Sequence, residues 1–136
     1  MAESVLVDAG FLVALLSGGD RHHRWAAMQS PRLALPWKTC EAVLSEAFHL
    51  VGSRGRPSLA ALLRRGAVVT AFDLGDDLDR VLTLMLKYAD VPMSLADACL
   101  VRMSETSADP VIVTTDADFT IYRRHGRQVV PSVTPY

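Results

Sequence analysis

The sequence predicts an α/β protein built around a parallel sheet. Short runs of β-branched and other apolar residues alternate along the chain with longer segments of helical periodicity, which is typical of repeated strand–helix units. The chain has 136 residues and is 50% hydrophobic, which suits one domain with a sizeable core. We therefore expect residues 1–136 to fold as a single α/β domain.

Five short apolar runs are the predicted strands. Their expected ranges are Ser4–Asp8, Leu33–Pro36, Ala67–Phe72, Val111–Thr114 and Gln128–Val130. The first and the fourth are the most convincing, because Val and Ile are favoured in strands.

Helical segments fill the intervals between these strands. The expected helices are Phe11–Leu16, a segment from Asp20 to Gln29, one after Thr39 with an apolar stripe from Cys40 to Val51, Pro57–Arg65, Asp76–Tyr88, Ser94–Thr106 and Asp118–Arg124. Asp20, Thr39 and Asp118 are the expected N-caps of their helices, and Gly66 is expected to end the helix that begins at Pro57.

The composition argues against several classes of protein. No stretch reaches the ~18 uninterrupted apolar residues of a membrane span, and the N-terminus lacks the features of a secretory signal. We therefore expect a soluble, cytoplasmic protein. Cys40 and Cys99 are far apart in sequence and lie in apolar patterns, so they are interpreted as small core residues and not as a disulfide or zinc site.

Most of the positive charge is carried by clustered arginines, although the net charge is only −1. The clusters are Arg21 with Arg24, Arg54 with Arg56, Arg64 with Arg65, and Arg123 with Arg124 and Arg127. Arginine suits phosphate recognition, but composition alone favours solvated helix ends. The pair His22-His23 has two interpretations. The default is that both are exposed helix residues, and the alternative is that they contact RNA.

Two aspartates lie where parallel sheets bind ligands, beyond the carboxyl ends of strands. Asp8 ends the first predicted strand, and Asp116 follows the Val111–Thr114 strand. Each has a simpler explanation as well. Asp8 is also a good N-cap for the next helix, and Asp116 with Asp118 also fits an ordinary acidic turn.

Two further acids lie on predicted helices. Glu46 falls at the margin of an apolar stripe, where a carboxylate costs free energy unless it is paired or coordinating. Alternatively, the aliphatic part of the Glu46 side chain packs against the stripe while its carboxylate reaches water. Asp97 fits a capping box with Ser94, a role that needs no catalysis. The denser group Asp73, Asp76, Asp77 and Asp79 crowds a helix start and needs no functional explanation.

The order of these segments resembles the PIN domain family. The matching motifs are Val5-Leu6-Val7-Asp8 at the first strand, Glu46 in the third helix before Ala47-Phe48-His49-Leu50, Leu95-Ala96-Asp97-Ala98, and Thr114-Thr115-Asp116-Ala117-Asp118-Phe119. Each motif is weak alone, but the ordered set covers nearly the whole chain, and none of the four acids is missing.

The resemblance implies a three-layer αβα sandwich with a central parallel sheet and one pocket of acids. It also implies that the acids bind one or two divalent ions and that the protein hydrolyses RNA phosphodiesters. Stand-alone members of this length are mostly toxins of the VapBC type, which are neutralised by an antitoxin, and dimers are usual.

Converging carboxylates would need a counter-charge. Two unit charges ~5 Å apart repel by roughly 3 kcal/mol at an effective dielectric near 20, so a divalent cation or protons must relieve the repulsion. Oxygen ligands favour Mg²⁺ or Mn²⁺ over zinc. We assign metal roles to Asp8, Asp97 and Asp116, and to Glu46 a metal-bound water or the role of its base. Ser94, Thr115 and Asp118 are candidates to orient these ligands.

Two alternatives belong to other functional classes. One is a PIN-like module that binds RNA or protein without cutting, and the other is a nuclease of RNA maturation outside a toxin–antitoxin pair. Metal-dependent turnover separates the first, and a neighbouring antitoxin gene argues against the second. The sequence does not name the RNA target, the number and identity of the metal ions, or the oligomer size.

Overall fold

A computed structural model describes residues 2–136. Its strands are β1 (Ser4–Val7), β2 (Trp37–Thr39), β3 (Val68–Thr70), β4 (Pro110–Val113), β5 (Arg123–Arg124), β6 (Gln128–Val129) and β7 (Ser132–Val133). Its α-helices are α1 (Ala9–Leu16), α2 (His23–Gln29), α3 (Glu41–Arg64), α4 (Leu78–Lys87) and α5 (Leu95–Thr106). Short 3₁₀ turns cover Ser30–Arg32 and Ala117–Thr120.

Strand β1 is at the centre of a five-stranded parallel sheet with the order β3-β2-β1-β4-β7. It pairs with β4 along its whole length, from Ser4 opposite Pro110 to Val7 opposite Val113. All four residues of β1 are buried, as expected for a strand that is covered on both faces. The predicted parallel α/β sheet is confirmed.

The helices cover the two faces of this sheet. Helix α1 packs against α2 and α3, and α4 packs against α5. The chain moves from β1 to β2 to β3 in one direction, so right-handed crossovers place the first group of helices on one face. The chain then returns past β1 to β4, so the same handedness places α4 and α5 on the other face. The result is the predicted three-layer αβα sandwich.

The second predicted strand is wrong in position. The segment Leu33–Pro36 forms bends, and β2 begins at Trp37, which is buried and pairs with Val68. Thr39 is therefore the last residue of a strand and not a helix cap. Its hydroxyl donates to the carbonyl of Val7 at 2.8 Å, which ties β2 to the end of β1.

The helical boundaries differ from expectation at two further places. Asp20 accepts a hydrogen bond from the backbone N–H of His22, two residues on, and α2 begins only at His23. The two helices predicted around Pro57 are continuous except for a kink at Gly52, which has φ 66°. Pro57 cannot donate to the carbonyl four residues earlier, which is next to this kink, so the interruption accommodates the proline.

The C-terminal part contains the remaining corrections. The predicted helix Asp118–Arg124 is a 3₁₀ turn over Ala117–Thr120, after which Arg123–Arg124 pairs as β5 with β6 in an antiparallel hairpin. The predicted last strand belongs to this hairpin. The fifth strand of the main sheet is β7, whose residues Ser132 and Val133 pair with β4. Among residues 2–136, no helix combines the length and apolar character that crossing a membrane requires.

Candidate active site

The carboxyl ends of β1 and β4 form one edge of the sheet, and the candidate site lies there. The chain leaves β1 towards β2 on one side and reaches β4 on the other side, so the two ends flank a switch point of the topology. Such switch points are where open parallel sheets bind ligands. Asp8 directly follows β1, and Asp116 is the third residue after β4.

Asp8 is a helix cap and a buried member of the site at once. Its Oδ1 accepts from the backbone N–H of Ala9 at 2.7 Å, and its Oδ2 accepts from the hydroxyl of Thr114 at 2.7 Å. The side chain is only 6% exposed. Asp8 therefore caps α1 and also lies in the candidate site, so the two explanations of this residue are compatible.

Burial is the main influence on the charge of Asp8. Burial, with smaller contributions from the negative charges of Asp97 and Glu46, raises the pKa of Asp8, while the hydrogen bonds from Thr114 and Ala9 lower it, and the net result is a pKa of about 7 in place of 3.8. Three of the four sequence-predicted acids therefore act on one another electrostatically. At neutral pH, Asp8 is close to the midpoint of its titration.

Thr114 connects the two strand ends, although the sequence analysis did not single it out. Its hydroxyl donates to Asp8 Oδ2 and accepts from the backbone N–H of Asp116 at 2.9 Å. It is fully buried. Its position directly after an apolar strand, opposite the residue that follows the neighbouring strand, is the signal that identifies such a bridging residue.

Asp97 lies in the first turn of α5 and faces the same edge. The Ser94 hydroxyl accepts from the Asp97 backbone N–H at 3.0 Å, so the predicted helix start is correct. Asp97 Oδ2 also accepts a hydrogen bond of 2.8 Å from the hydroxyl of Tyr122. Burial raises the pKa of Asp97 and the Asp116 charge raises it further, while the hydrogen bonds from Tyr122 and Ser94 lower it.

Tyr122 is therefore a core residue with a polar contact to the site. Its ring is buried and packs edge-on against Tyr88 and Phe119, with ring centroids 5.2 Å from each. Trp25 and Trp37 likewise pack against Phe11 in the core. The contacts of these three aromatic residues are therefore packing contacts.

Glu46 approaches this group from α3 and is exposed. Burial of part of its surface raises the pKa of Glu46, and the charges of Asp97 and Asp116 raise it further. Glu41, the other glutamate considered in this helix, lines a separate cavity with Phe72 and Leu74. The structure thus brings Glu46, and not Glu41, into electrostatic contact with the acids of the sheet edge.

Asp116 and Asp118 form the acidic turn after β4. Asp116, and not Asp118, caps the 3₁₀ turn, because its Oδ1 accepts from the backbone N–H of Asp118 at 2.9 Å. Partial burial raises the pKa of Asp118, with a further contribution from the Asp116 charge. Thr115 lies against Gly10, where an added Cβ atom would be 2.1 Å from the Thr115 Oγ1 atom.

The chemistry of this donor set suits a hard cation. All four side chains offer carboxylate oxygens, which Mg²⁺ and Mn²⁺ prefer. Within residues 2–136, ion pairs are formed only by Arg102, with Asp77 and Glu105, so no arginine or lysine of this part neutralises the four acids. Among the same residues, no three His, Cys, Asp or Glu side chains are already grouped closely enough to hold a metal ion.

The comparison with known families identifies the fold. Residues 5–124 match the PIN domain. The chain belongs to the PIN domain family. Among solved structures it is similar to the crystal structure of Mycobacterium tuberculosis VapC20, described as a Sarcin-Ricin loop cleaving toxin, with a TM-score of 0.76 and 23% identity over 87% of this chain and 94% of that chain. No sequence among curated proteins matches significantly.

The two cysteines of this PIN domain are buried, free and adjacent, although they are far apart in sequence. A contact between the two thiols lowers the pKa of Cys40, and the same contact, with burial, raises the pKa of Cys99. Both line a cavity of about 440 Å³ beside the acids, together with Glu41 and Leu95. Their prediction as small core residues agrees with this burial.

The arginines of the PIN domain fall into two groups. Arg123 donates to the carbonyls of Thr120, Ile121 and Tyr122, and Arg124 donates to the carbonyl of Ser104, so these two stabilise the C-terminal hairpin. Others, including Arg24, Arg54 and Arg64, are exposed. Phosphate recognition, which the sequence left as an alternative to solvated helix ends, is therefore not a role that all the clusters can share.

Proposed function

We propose that this PIN domain protein is a metal-dependent endoribonuclease that hydrolyses RNA phosphodiester bonds, and that it is the toxin of a type II toxin–antitoxin pair. The observation that carries the proposal is the set of four carboxylates at one edge of the sheet, none of which pairs with an arginine or lysine among residues 2–136. Burial, and then the charges of the other acids, raise the pKa values of Asp8, Glu46 and Asp97. The likeness of the fold to a protein described as a Sarcin-Ricin loop cleaving toxin supports the choice of a nucleic-acid substrate and of a toxin role.

Asp8, Asp97 and Asp116 are the residues we propose as holders of a Mg²⁺ or Mn²⁺ ion, with Glu46 beside them. A divalent ion supplies positive charge for the phosphate and makes a bound water a better nucleophile. Each carboxylate oxygen can accept more than one bond. The hydrogen bonds that Asp8 and Asp97 already make are therefore compatible with coordination.

The protein groups have separable roles in this proposal. Glu46 is the most exposed of the four acids, and its raised pKa suits it to take a proton from the attacking water. Thr114 and Ala9 orient Asp8, and Tyr122 orients Asp97. Ser94, Thr115 and Asp118 remain candidates to support these carboxylates from behind.

The wider assignments are part of the same proposal. We expect residues 1–136 to act as one nuclease domain in the cytoplasm, and a cognate antitoxin to bind it. Self-association into a homodimer is supported by α4, where Leu78, Leu82 and Leu86 recur at four-residue intervals and Leu86 is 78% exposed. A Leu86→Glu variant should shift the molar mass measured by light scattering from dimer to monomer.

The nuclease is tested by incubating the purified protein with structured and single-stranded RNAs in Mg²⁺, Mn²⁺ or EDTA. The informative variant is Asp97→Asn, because Asn keeps an acceptor for Tyr122 and the hydrogen bonds of the helix start while it removes the charge. Asp77→Asn, which removes a charge from the start of α4, is the matched control.

Metal-dependent cleavage that is lost in Asp97→Asn and kept in Asp77→Asn is the expected result. We expect the loss to be at least about 100-fold, the scale typical of removing an acid–base or metal-holding group. Retention of RNA or protein binding without any cleavage would instead favour a non-catalytic module. Cleavage that is insensitive to both EDTA and Asp97→Asn would contradict the proposal.

A further inference from the structure

Arg21, His22 and Tyr136 form a polar surface cluster that lines a cavity with Gly10 and Thr115, and the proposed catalytic roles do not use it. Arg21 Nε donates to His22 Nε2 at 3.0 Å, and Arg21 Nη2 donates to the hydroxyl of Tyr136 at 3.2 Å. The Tyr136 hydroxyl also lies 3.4 Å from His22 Nε2, and the two rings meet edge-on at 5.6 Å. The guanidinium group is therefore contacted by its neighbour His22 and by Tyr136, which is 115 positions away.

The neighbouring histidine, His23, is not part of this cluster. His23 places its Nδ1 2.8 Å from the carbonyl of Ala14, near the end of α1, so it has a local structural role. His22 instead turns its ring towards Arg21 and Tyr136. The default interpretation of both histidines as exposed helix residues therefore does not hold, because each makes a specific contact.

The guanidinium of Arg21 keeps its charge and most of its donors. Its two hydrogen-bond partners are neutral, and three of its five N–H groups remain free after these bonds. Asp20 is close by, but its Oδ1 accepts from the backbone N–H of His22, and within residues 2–136 the ion pairs involve only Arg102. A fixed guanidinium with free donors is suited to bind a phosphate through two parallel hydrogen bonds.

The cluster opens onto a cavity whose wall includes residues next to the acids in sequence. The cavity has a volume of about 460 Å³, and Gly10, Thr115, Leu50, Val13 and Asp20 line it together with the cluster. Gly10 is two residues after Asp8, and Thr115 directly precedes Asp116. Because Gly10 and Thr115 are in contact, the wall of this cavity is continuous with the backbone that carries the two aspartates.

An acidic centre repels an RNA backbone, so a substrate strand needs cationic contacts close to the cleavage position. We propose that Arg21, held by His22 and Tyr136, binds the backbone phosphate of RNA next to the phosphate that is cleaved. This assignment rests on the proposed ribonuclease function for the identity of the ligand. The binding itself does not depend on catalysis, so the two proposals can fail separately.

The test measures RNA binding without turnover. A fluorescein-labelled single-stranded 12-nucleotide RNA is titrated with the protein in EDTA at several KCl concentrations, and the anisotropy gives the Kd. The variants are Arg21→Gln and Arg21→Lys, and the control is Arg32→Gln. Arg32 is exposed and lines a cavity with Ala2 and Val5, at the amino end of β1 and hence at the opposite edge of the sheet.

We expect Arg21→Gln to weaken binding roughly tenfold at low salt, and the slope of log Kd against log salt to fall by about 0.7, the value for one contact to a single-strand phosphate. Arg21→Lys should keep the slope but bind less tightly than the native protein, because lysine lacks the planar fork. Arg32→Gln should change the Kd by less than about twofold. Circular dichroism melts establish that each variant is folded.

The proposal is overturned if the native protein does not bind RNA, or if Arg21→Gln and Arg32→Gln weaken binding equally, which would indicate only a general effect of charge. Cleavage assays in Mn²⁺ then separate the two proposals. Arg21-dependent binding without cleavage keeps the phosphate site and removes the nuclease. If the KM of cleavage does not change in Arg21→Gln, the nuclease proposal is retained and the phosphate-site proposal is rejected.

Discussion

Two groups of acids differ in the surroundings that the fold gives their carboxylates. The site group consists of Asp8, Glu46, Asp97 and Asp116, and the α4 group consists of Asp73, Asp76, Asp77 and Asp79. In the α4 group, Asp77 pairs with Arg102 at 3.1 Å and Asp73 accepts from the backbone N–H of Gly75. In the site group, burial and mutual repulsion act on carboxylates that have neutral donors only. Density of acids in the sequence is therefore a poor guide to function, and burial of carboxylates beside one another is a better one.

The largest expected effect concerns the pH dependence of stability at Asp8. Its pKa is about 7 in the fold and 3.8 ordinarily, so the folded state binds the proton more tightly. The stability that this proton contributes is complete below pH 4 and is lost as the pH rises through 7. At about 1.4 kcal/mol per pKa unit, the loss amounts to at most about 4 kcal/mol.

Urea unfolding in EDTA at pH 5 and pH 8 measures this effect. The Asp8→Asn variant should be more stable than the native protein at pH 8, and its stability should depend less on pH. Asp77→Asn should keep the native pH dependence. A native protein whose pH dependence is unchanged by Asp8→Asn would show that this carboxyl group is not held in an unfavourable charged state.

The next effect compares two glutamates of α3. Glu46 is influenced by Asp97 and Asp116, whereas Glu41 lines the separate cavity with Phe72. We expect Glu46→Gln to lower kcat by roughly 100-fold, on the scale of general acid–base catalysis, and Glu41→Gln to change it by less than about twofold. Single-turnover cleavage of a labelled RNA measures both, and a greater loss in Glu41→Gln would reverse the assignment.

A smaller effect is expected at Tyr122, whose hydroxyl bonds Asp97. Tyr122→Phe removes a bond that lowers the pKa of Asp97, so the acidic limb of the pH–rate profile should move to higher pH. We expect kcat/KM at neutral pH to fall by about tenfold, which corresponds to the lower end of the about 1.5–3 kcal/mol that hydrogen bonds to charged groups contribute. The control is Tyr88→Phe, which keeps the packed ring and lies against Tyr122. A fall in rate without a shift of the limb would indicate packing alone.

The smallest effect is expected in the α4 group. Asp77 and Arg102 are partly exposed, with side chains 27% and 19% accessible, so their ion pair should contribute less than about 1 kcal/mol. Asp77→Asn should therefore lower the free energy of unfolding slightly, and less so in high salt, with cleavage unchanged. Loss of cleavage in this variant would remove the distinction between the two groups.

The parallel sheet was predictable because β1 and β4 are continuous apolar runs that the fold buries on both faces. The position of β2 was not, since Leu33–Pro36 is as apolar as Trp37–Thr39 and only the pairing of Trp37 with Val68 distinguishes them. The helix of Glu41–Arg64 is interrupted at Gly52, not at Pro57, because the break accommodates the missing donor of the proline.

The four acids were proposed from the order of their motifs along the chain, but the contacts that these acids make could not be predicted. Thr114 and Tyr122 reach Asp8 and Asp97 over 106 and 25 residues, and no local pattern encodes such contacts. The same holds for Arg21 and Tyr136, which are 115 residues apart. Contacts between residues that are far apart in sequence can be identified only in the folded structure.

The most direct test of the account is calorimetric titration of the metal-free protein with Mn²⁺ at pH 8, without RNA. The native protein and Asp77→Asn should bind the ion alike, and Asp116→Asn should bind it at least about tenfold more weakly, because it removes a proposed ligand and keeps an acceptor for the Asp118 N–H. Equal binding by all three proteins, or no binding by the native protein, would contradict the claim that the unneutralised acids form a cation site.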